Sequence, residues 1–236
     1  DVALLKIDGE DLPYLKLGNS KDIMPGEWVI AFGNPFGLFD INAKPTVTVG
    51  VVSNIGVNMF QEGRVYKGMV QTDAAISSGN SGGPLVNSLG EVIAMNTIIF
   101  STAQTRQGAG SIGIGFAIPI NRVKKIVDKL KDEGEINRNY IVGIEVKKVD
   151  ERIKEYFDLE STEGVVVINL YRNTPAEKAG IEPGDIILEI GDMKIMREED
   201  FLIAINDGVV GDKLKMKIKR NGDIMTKTVK LVERKR

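Results

Sequence analysis

Along the first half of the chain, short apolar runs alternate with glycine- and proline-marked turns, the pattern of a protein built from strands. Asp1 to Asp8 (DVALLKID) is a strand-like run that stops at Gly9. Glu27 to Phe32 follows Pro25-Gly26, and Thr46 to Ser53 (TVTVGVVS) is rich in β-branched residues. Gly83 to Asn87 and Glu91 to Ile99 flank Ser88-Leu89-Gly90, a hairpin signal, and Gly115 to Ile118 closes the series. Many short strands with few helical signals predict a β-barrel or sandwich. The polar, glycine-rich stretch 101–113 is expected to be a mobile surface loop.

The pattern then changes period. Val123, Ile126, Val127 and Leu130 recur at helical spacing, with Asn121 as the expected cap and Gly134 as the stop. The polar run Lys131 to Asn139 marks a domain boundary. Beyond it lies an α+β unit. Gly164 to Ile168 is a buried-strand pattern, Thr174-Pro175 opens a short helix ended by Gly180, and Asp185 to Ile190 is another strand. Glu198 to Asn206 is helical, and Leu214, Met216 and Ile218 alternate with lysines ahead of an Asn221-Gly222 hairpin turn.

Composition narrows the chemistry. A net charge of -2 gives no basic surface for nucleic acid. With no cysteine there is neither disulfide nor thiolate metal site. With no histidine the chain lacks the commonest general base and the commonest metal ligand, so no metal or cofactor is expected. There is no run of about 18 apolar residues.

The chemically telling stretch is Gln71 to Val86 (QTDAAISSGNSGGPLV). A nucleophilic serine needs an exposed hydroxyl on a tight turn, beside amides aimed at a developing oxyanion. Glycines on both sides of Ser81 permit that turn, and Gly79 and Ser81 are the natural amide donors. A glycine–serine turn alone is common. However, GNSGGPLV preceded by QTDAA resembles the nucleophile segment of the trypsin-like HtrA proteases, and other segments agree in order. Asp1 to Ile7 is similar to the family's catalytic-aspartate strand, Ala31 to Gly37 (AFGNPFG) to its GNPFG turn, Thr46 to Ser53 to its TVT-x-G-x-V-S strand, and Gly113 to Pro119 (GIGFAIP) to its last barrel strand.

The resemblance implies a mainly β protein: a trypsin-like β-barrel over 1–119, mostly the second of the family's two barrels, a connecting helix and linker over 120–139, and an α+β PDZ domain over 140–236. It makes Ser81 the nucleophile, Asp1 the acid that orients an imidazole, and Gly79 and Ser81 the oxyanion donors. The histidine is expected upstream of Asp1, so the chain looks like part of a longer protein and is expected to be inactive alone; no lysine stands where the family would use one for catalysis. Ala75 would sit at the base of the S1 pocket, with Ile98, Ile99 and Phe116 either lining the rest or packing the core, favouring small or medium apolar side chains in the substrate. Thr97 to Ile99 would offer backbone hydrogen bonds to an extended substrate. Ser78 stands where relatives often carry Pro or Arg.

In the second domain, Tyr140-Ile141-Val142-Gly143-Ile144 resembles the PDZ carboxylate loop with Val142 as an extra residue, and Asn173 to Ile181, expected to be structural, and Pro183 to Ile187 are similar to further PDZ segments. Backbone amides near Gly143 would hold a peptide's terminal carboxylate, with Phe201, Leu202 and Ile205 as the facing wall or as core. The family reading is an ATP-independent serine endopeptidase that acts on unfolded or misfolded extracytoplasmic proteins, in a periplasmic or outward-facing anchored setting. It would be regulated by peptide C-termini at the PDZ groove and trimeric in full length. The alternative is a non-catalytic peptide-binding or chaperone module.

Overall fold

The computed structural model describes residues 2–35, 44–61, 64–99, 104–105, 108–109 and 111–234, with the main chain alone at 61, 98–99, 104–105 and 108–109. The chain divides into two compact units, Asp1–Asn58 with Lys67–Glu135, and Met59–Tyr66 with Ile136–Arg236.

Apart from Met59–Tyr66, which takes in the end of β2 and the start of β3, the first unit comprises the strands β1 (Trp28–Gly33), β2 (Thr46–Gln61), β3 (Arg64–Thr72), β4 (Pro84–Asn87), β5 (Val92–Ile99), β6 (Gln104–Thr105), β7 (Gly108–Ala109) and β8 (Gly115–Pro119). Six of them close a barrel in the order β1-β2-β3-β8-β5-β4, with β4 returning to β1. Alternation sets its interior: Val29 and Ala31 of β1 point inward and join Val52, Val70, Leu85, Ile93, Ala94 and Ala117 in one core. Closure leaves the barrel without an open edge. β6 and β7 pair only with each other.

Helix α1 (Ile120–Glu133) leaves β8 directly and packs on the outside of the barrel, where Ile120 meets Val86 and Val92. Asn121 is not its cap: the helix begins one residue earlier. The Asn121 N–H donates to Ser20 Oγ at 3.1 Å, and its side-chain amide to Asn19 at 2.6 Å. A hydroxyl a hundred residues away thus satisfies the helix's first-turn donor. Gly134, at φ 77, ends the helix.

One expected strand is absent. Val2 to Asp8 forms no ladder, with Leu5 83% and Ile7 62% exposed. A strand needs a partner edge, and among the described residues every barrel strand is already paired on both sides.

The second unit holds β9 (Tyr140–Ile141), β10 (Ile144–Lys148), α2 (Glu151–Tyr156), β11 (Val165–Leu170), α3 (Pro175–Lys178), β12 (Ile186–Ile190), β13 (Met193–Lys194), α4 (Glu198–Ile205), β14 (Lys213–Arg220), β15 (Asp223–Lys230) and β16 (Val232–Glu233). Its main sheet runs β10-β11-β12-β14-β15, with β13 attached to β12 and β9 paired to β16. β10 is an edge of that sheet. Asn221 and Gly222 both take positive φ, as the two-residue hairpin turn between β14 and β15 requires. The core gathers Val165, Ile187, Phe201, Met216, Ile218 and Leu231, all at most 2% exposed.

Candidate active site and peptide-binding edge

The segment leading to Ser81 is fastened to β2. Thr72 Oγ1 donates to the Val51 carbonyl at 2.8 Å, Asp73 Oδ1 accepts the Val51 N–H at 2.7 Å, and Thr48 Oγ1 donates to the Ala75 carbonyl at 2.9 Å. Gly50 makes this fit, since a Cβ there would lie 2.3 Å from the Ala74 nitrogen. Ala74 and Ile76 enter the core, while Ala75 between them is exposed.

The chain then turns sharply. Asn80 N–H donates to the Ser77 carbonyl at 3.0 Å with Gly79 at φ 99, a turn that needs glycine at its third position. A Cβ on Gly79 would also meet the Asn34 carbonyl oxygen at 2.2 Å. Next, the Gly83 N–H donates to the Asn80 carbonyl at 3.0 Å. In a planar trans peptide the N–H points opposite the C=O, so the Ser81 N–H is directed away from Gly83. Gly79 N–H belongs to the central peptide of the preceding turn.

Ser81 is exposed, and its Oγ donates to the Thr97 carbonyl at 2.9 Å. Thr97 is available because β5 carries a bulge there: Asn96 pairs with Ala117 and Ile98 with Phe116, leaving Thr97 as the extra residue. Gly82 N–H to the Asn96 carbonyl (2.8 Å) and Asn96 N–H to the Gly83 carbonyl (2.9 Å) lock the serine turn to β5. Beneath it Asn80 and Asn96 are buried, and the Oδ1 of each finds no donor among the described residues.

Phe116 is buried on β8. The backbones of Ile98 and Ile99 pair with Phe116 and Gly115, but the reading of their side chains as pocket lining lies outside the described residues. So do Asp1 and, in the GNPFG turn, Phe36 and Gly37. Chemically, the turn can present a hydroxyl and an amide. A carbonyl acceptor cannot take the serine proton, so activation needs a base from elsewhere.

In the second unit, Val142 turns its side chain into the core, at 6% exposed, which accommodates the extra residue of the loop. Gly143 follows at φ 93, pressed so closely on Thr174 that a Cβ would lie 2.2 Å from the threonine Cβ. The Ala176 N–H donates to the Val142 carbonyl (3.1 Å) and the Tyr171 N–H to the Gly143 carbonyl (3.0 Å). By the same peptide geometry, the Gly143 N–H faces away from α3 and the Ile144 N–H faces the open edge of β10. The segment around Asn173 to Ala176 therefore braces this loop from behind.

Tyr140 also braces: its hydroxyl donates to the Ile205 carbonyl at 2.5 Å, and burial raises its pKa above the ordinary tyrosine value. Ile141 is half-buried in the β9–β16 pair. Phe201 is a core residue at 2% exposure, whereas Leu202 and Ile205 are half-buried at the core's margin, as is Ile144. Three groups were not singled out by sequence: the Thr72 and Asp73 fastenings, the buried Asn80 and Asn96, and Glu198, whose Oε1 accepts the Lys148 N–H at 2.7 Å. The QTD run ahead of the serine was the available signal for the first.

Comparison with known proteins adds the following. Residues 1–95 match the trypsin-like peptidase domain model and residues 141–231 the PDZ domain model. A protein of Rickettsia conorii named a probable periplasmic serine endoprotease, DegP-like, is 41% identical over 223 residues, covering 94% of this chain and 42% of its own length. One of the same name from Hahella chejuensis is 38% identical, covering 98% of this chain and 46% of its own. The chain spans less than half the length of these relatives. Among solved structures, an HtrA-type protease, AlgW, with a tripeptide superposes with a TM-score of 0.75 at 35% identity, covering 98% of this chain and 73% of that one. The serine endoprotease of Yersinia pestis gives a TM-score of 0.62 at 31% identity, covering 98% and 70%.

Proposed function

The chain belongs to the HtrA-type family of trypsin-like serine proteases that carry a PDZ domain, and from that membership we propose that it forms the nucleophile-bearing part of an ATP-independent serine endopeptidase. In this reading 1–119 is the protease part, 120–139 the connection and 140–236 the PDZ domain. Ser81 attacks the scissile carbonyl, and the N–H groups of Gly79 and Ser81 receive the oxyanion. Asp1 orients an imidazole that residues 1–236 do not contain. The observation that carries this is the exposed Ser81 hydroxyl on a glycine-hinged turn locked to β5, its own N–H directed away from Gly83.

Ala75 leaves the S1 base uncharged, which supports cleavage after small or medium apolar residues. The names of the relatives support a periplasmic setting. Unfolded or misfolded proteins are the substrates proposed, and a trimer the assembly of the full-length protein. The loop amides at Gly143 and Ile144, the free edge of β10, and the half-buried Leu202 and Ile205 with Phe201 behind them support capture of peptide C-termini as an added strand.

A second reading, a peptide-binding module without turnover, is favoured by one observation: the Ser81 hydroxyl is held by a carbonyl rather than a base. The test is turnover of unfolded casein by a chain extended upstream of Asp1 to include the segment expected to carry the histidine. Proteolysis lost on Ser81→Ala supports the protease; no proteolysis, with C-terminal peptides still bound, supports the binding module.

A further inference from the structure

The edge of β10 is not open along its whole length. Val149 N–H donates to the Gly164 carbonyl across the β10–β11 ladder, and Tyr171 N–H to the Gly143 carbonyl, so the odd-numbered residues 143 to 149 face β11. The even-numbered residues Ile144, Val146 and Lys148 therefore direct their N–H and C=O groups to the free edge. The bulge in this pair does not disturb that count: Glu145 pairs with Asn169 and Val146 with Val167, so the extra residue is Ile168 on β11 and β10 alternates without a break.

Of these three edge positions, the last is taken. The half-buried carboxylate of Glu198, first residue of α4, accepts the Lys148 N–H at 2.7 Å. Its neighbours Glu199 and Asp200 are the partners of Arg197, at 3.9 and 3.7 Å, and Asp200 also accepts the Met196 N–H at 3.0 Å. The first turn of α4 is thus tied down, with Glu198 left to reach the strand. A hydrogen bond to an ionised acceptor is stronger than the one a peptide carbonyl would put in its place.

We propose that Glu198 limits how much of a bound peptide can add as a strand, ending the useful contact at the third residue from its C-terminus. The inference rests on β10 being the peptide-binding edge. A peptide whose terminal carboxylate meets the amides of Gly143 and Ile144 runs antiparallel to β10. Its last residue then faces Ile144, the third from the end Val146, and the fifth Lys148, where Glu198 already occupies the donor. Residues beyond the third add little affinity, so the protein reads only the extreme C-terminus of its ligands.

The experiment is isothermal titration of the 236-residue chain with acetylated Leu-Ala-Val and acetylated Ala-Ala-Leu-Ala-Val. For the unaltered protein the two affinities are expected to agree within about twofold. In Glu198→Ala the longer peptide should bind about five- to tenfold more tightly than the shorter, the scale of one or two backbone hydrogen bonds. Glu198→Asp, which keeps the charge at the helix start but is one methylene too short to reach, should behave like Glu198→Ala and guards against a folding defect. A ratio that neither variant changes, or a fivefold preference for the longer peptide already in the unaltered chain, overturns the role of Glu198. Binding of neither peptide by the unaltered chain overturns the reading of the edge itself.

Discussion

Ser81 Oγ donates to the carbonyl of Thr97, the bulged residue of β5, across 2.9 Å. The contact both places the hydroxyl and keeps it unreactive, since an amide carbonyl cannot accept its proton. It is also local: the serine turn and β5 are joined by two backbone hydrogen bonds beside it. The 236-residue chain by itself is therefore expected to give no turnover of unfolded casein, followed by release of acid-soluble peptides. Turnover that survives purification and disappears in Ser81→Ala would show that residues 1–236 supply a base of their own.

Gly79→Ala should damage the turn twice, through a positive φ that disfavours a side chain and through a Cβ 2.2 Å from the Asn34 carbonyl oxygen. Gly26 has a similar φ of 95 but open space around it. Chemical unfolding should give a loss of about 1 kcal/mol for Gly26→Ala and clearly more, upward of about 2 kcal/mol, for Gly79→Ala. Equal losses would mean the close approach to Asn34 is not real.

Arg220 closes a charge cluster around the buried Asp185 in the second unit. Its Nε and Nη2 meet the two oxygens of the fully buried Asp185 at 2.6 and 2.8 Å, and Nη1 meets Glu182 at 2.7 Å. Arg220→Ala strands the Asp185 carboxylate and should cost about 3–5 kcal/mol in urea unfolding. Arg220→Lys, unable to supply the fork, should recover only part. A loss under about 1 kcal/mol for the alanine variant would contradict the pairing.

The Tyr140 hydroxyl holds the end of α4 through the Ile205 carbonyl, and burial raises its pKa. The folded state therefore keeps the phenolic proton more tightly than the unfolded state does. The stabilisation is complete below the ordinary tyrosine pKa near 10 and is lost as pH rises through the higher folded value. Tyr140→Phe should cost about 1 kcal/mol at neutral pH and flatten the decline of the urea midpoint above about pH 10. An unchanged alkaline decline in the variant would assign it to other groups.

Much of this architecture is legible in the chain because the strands announce themselves locally: short apolar runs between turn residues mark β1, β4, β5 and β8, the β-branched run from Thr46 marks β2, and Asn221-Gly222 marks a hairpin whose two positive φ values are observed. What is not legible is non-local. β3 hides behind Gly68, at φ 66 with its N–H on Asn58, in a run too polar to stand out. The β9–β16 pair joins two-residue segments ninety positions apart and has no local pattern. The strand expected at Val2 to Asp8 has the right residues and no ladder to join. Helix α2 did carry a signal, since the Asp150 side chain caps it by accepting the Ile153 N–H at 2.9 Å. In the site, the GNSGG run marked the sharp turn that carries Ser81, but the bulge that aims Thr97 at Ser81, and the reach of Glu198 to Lys148, depend on register between distant segments.

The most direct test is the effect of Ser81→Ala on casein degradation by a chain extended upstream of Asp1 to include the segment expected to carry the histidine. The account predicts turnover in the extended protein and a loss of at least about ten-thousandfold in the variant. Degradation that persists in Ser81→Ala at more than a few per cent would contradict it.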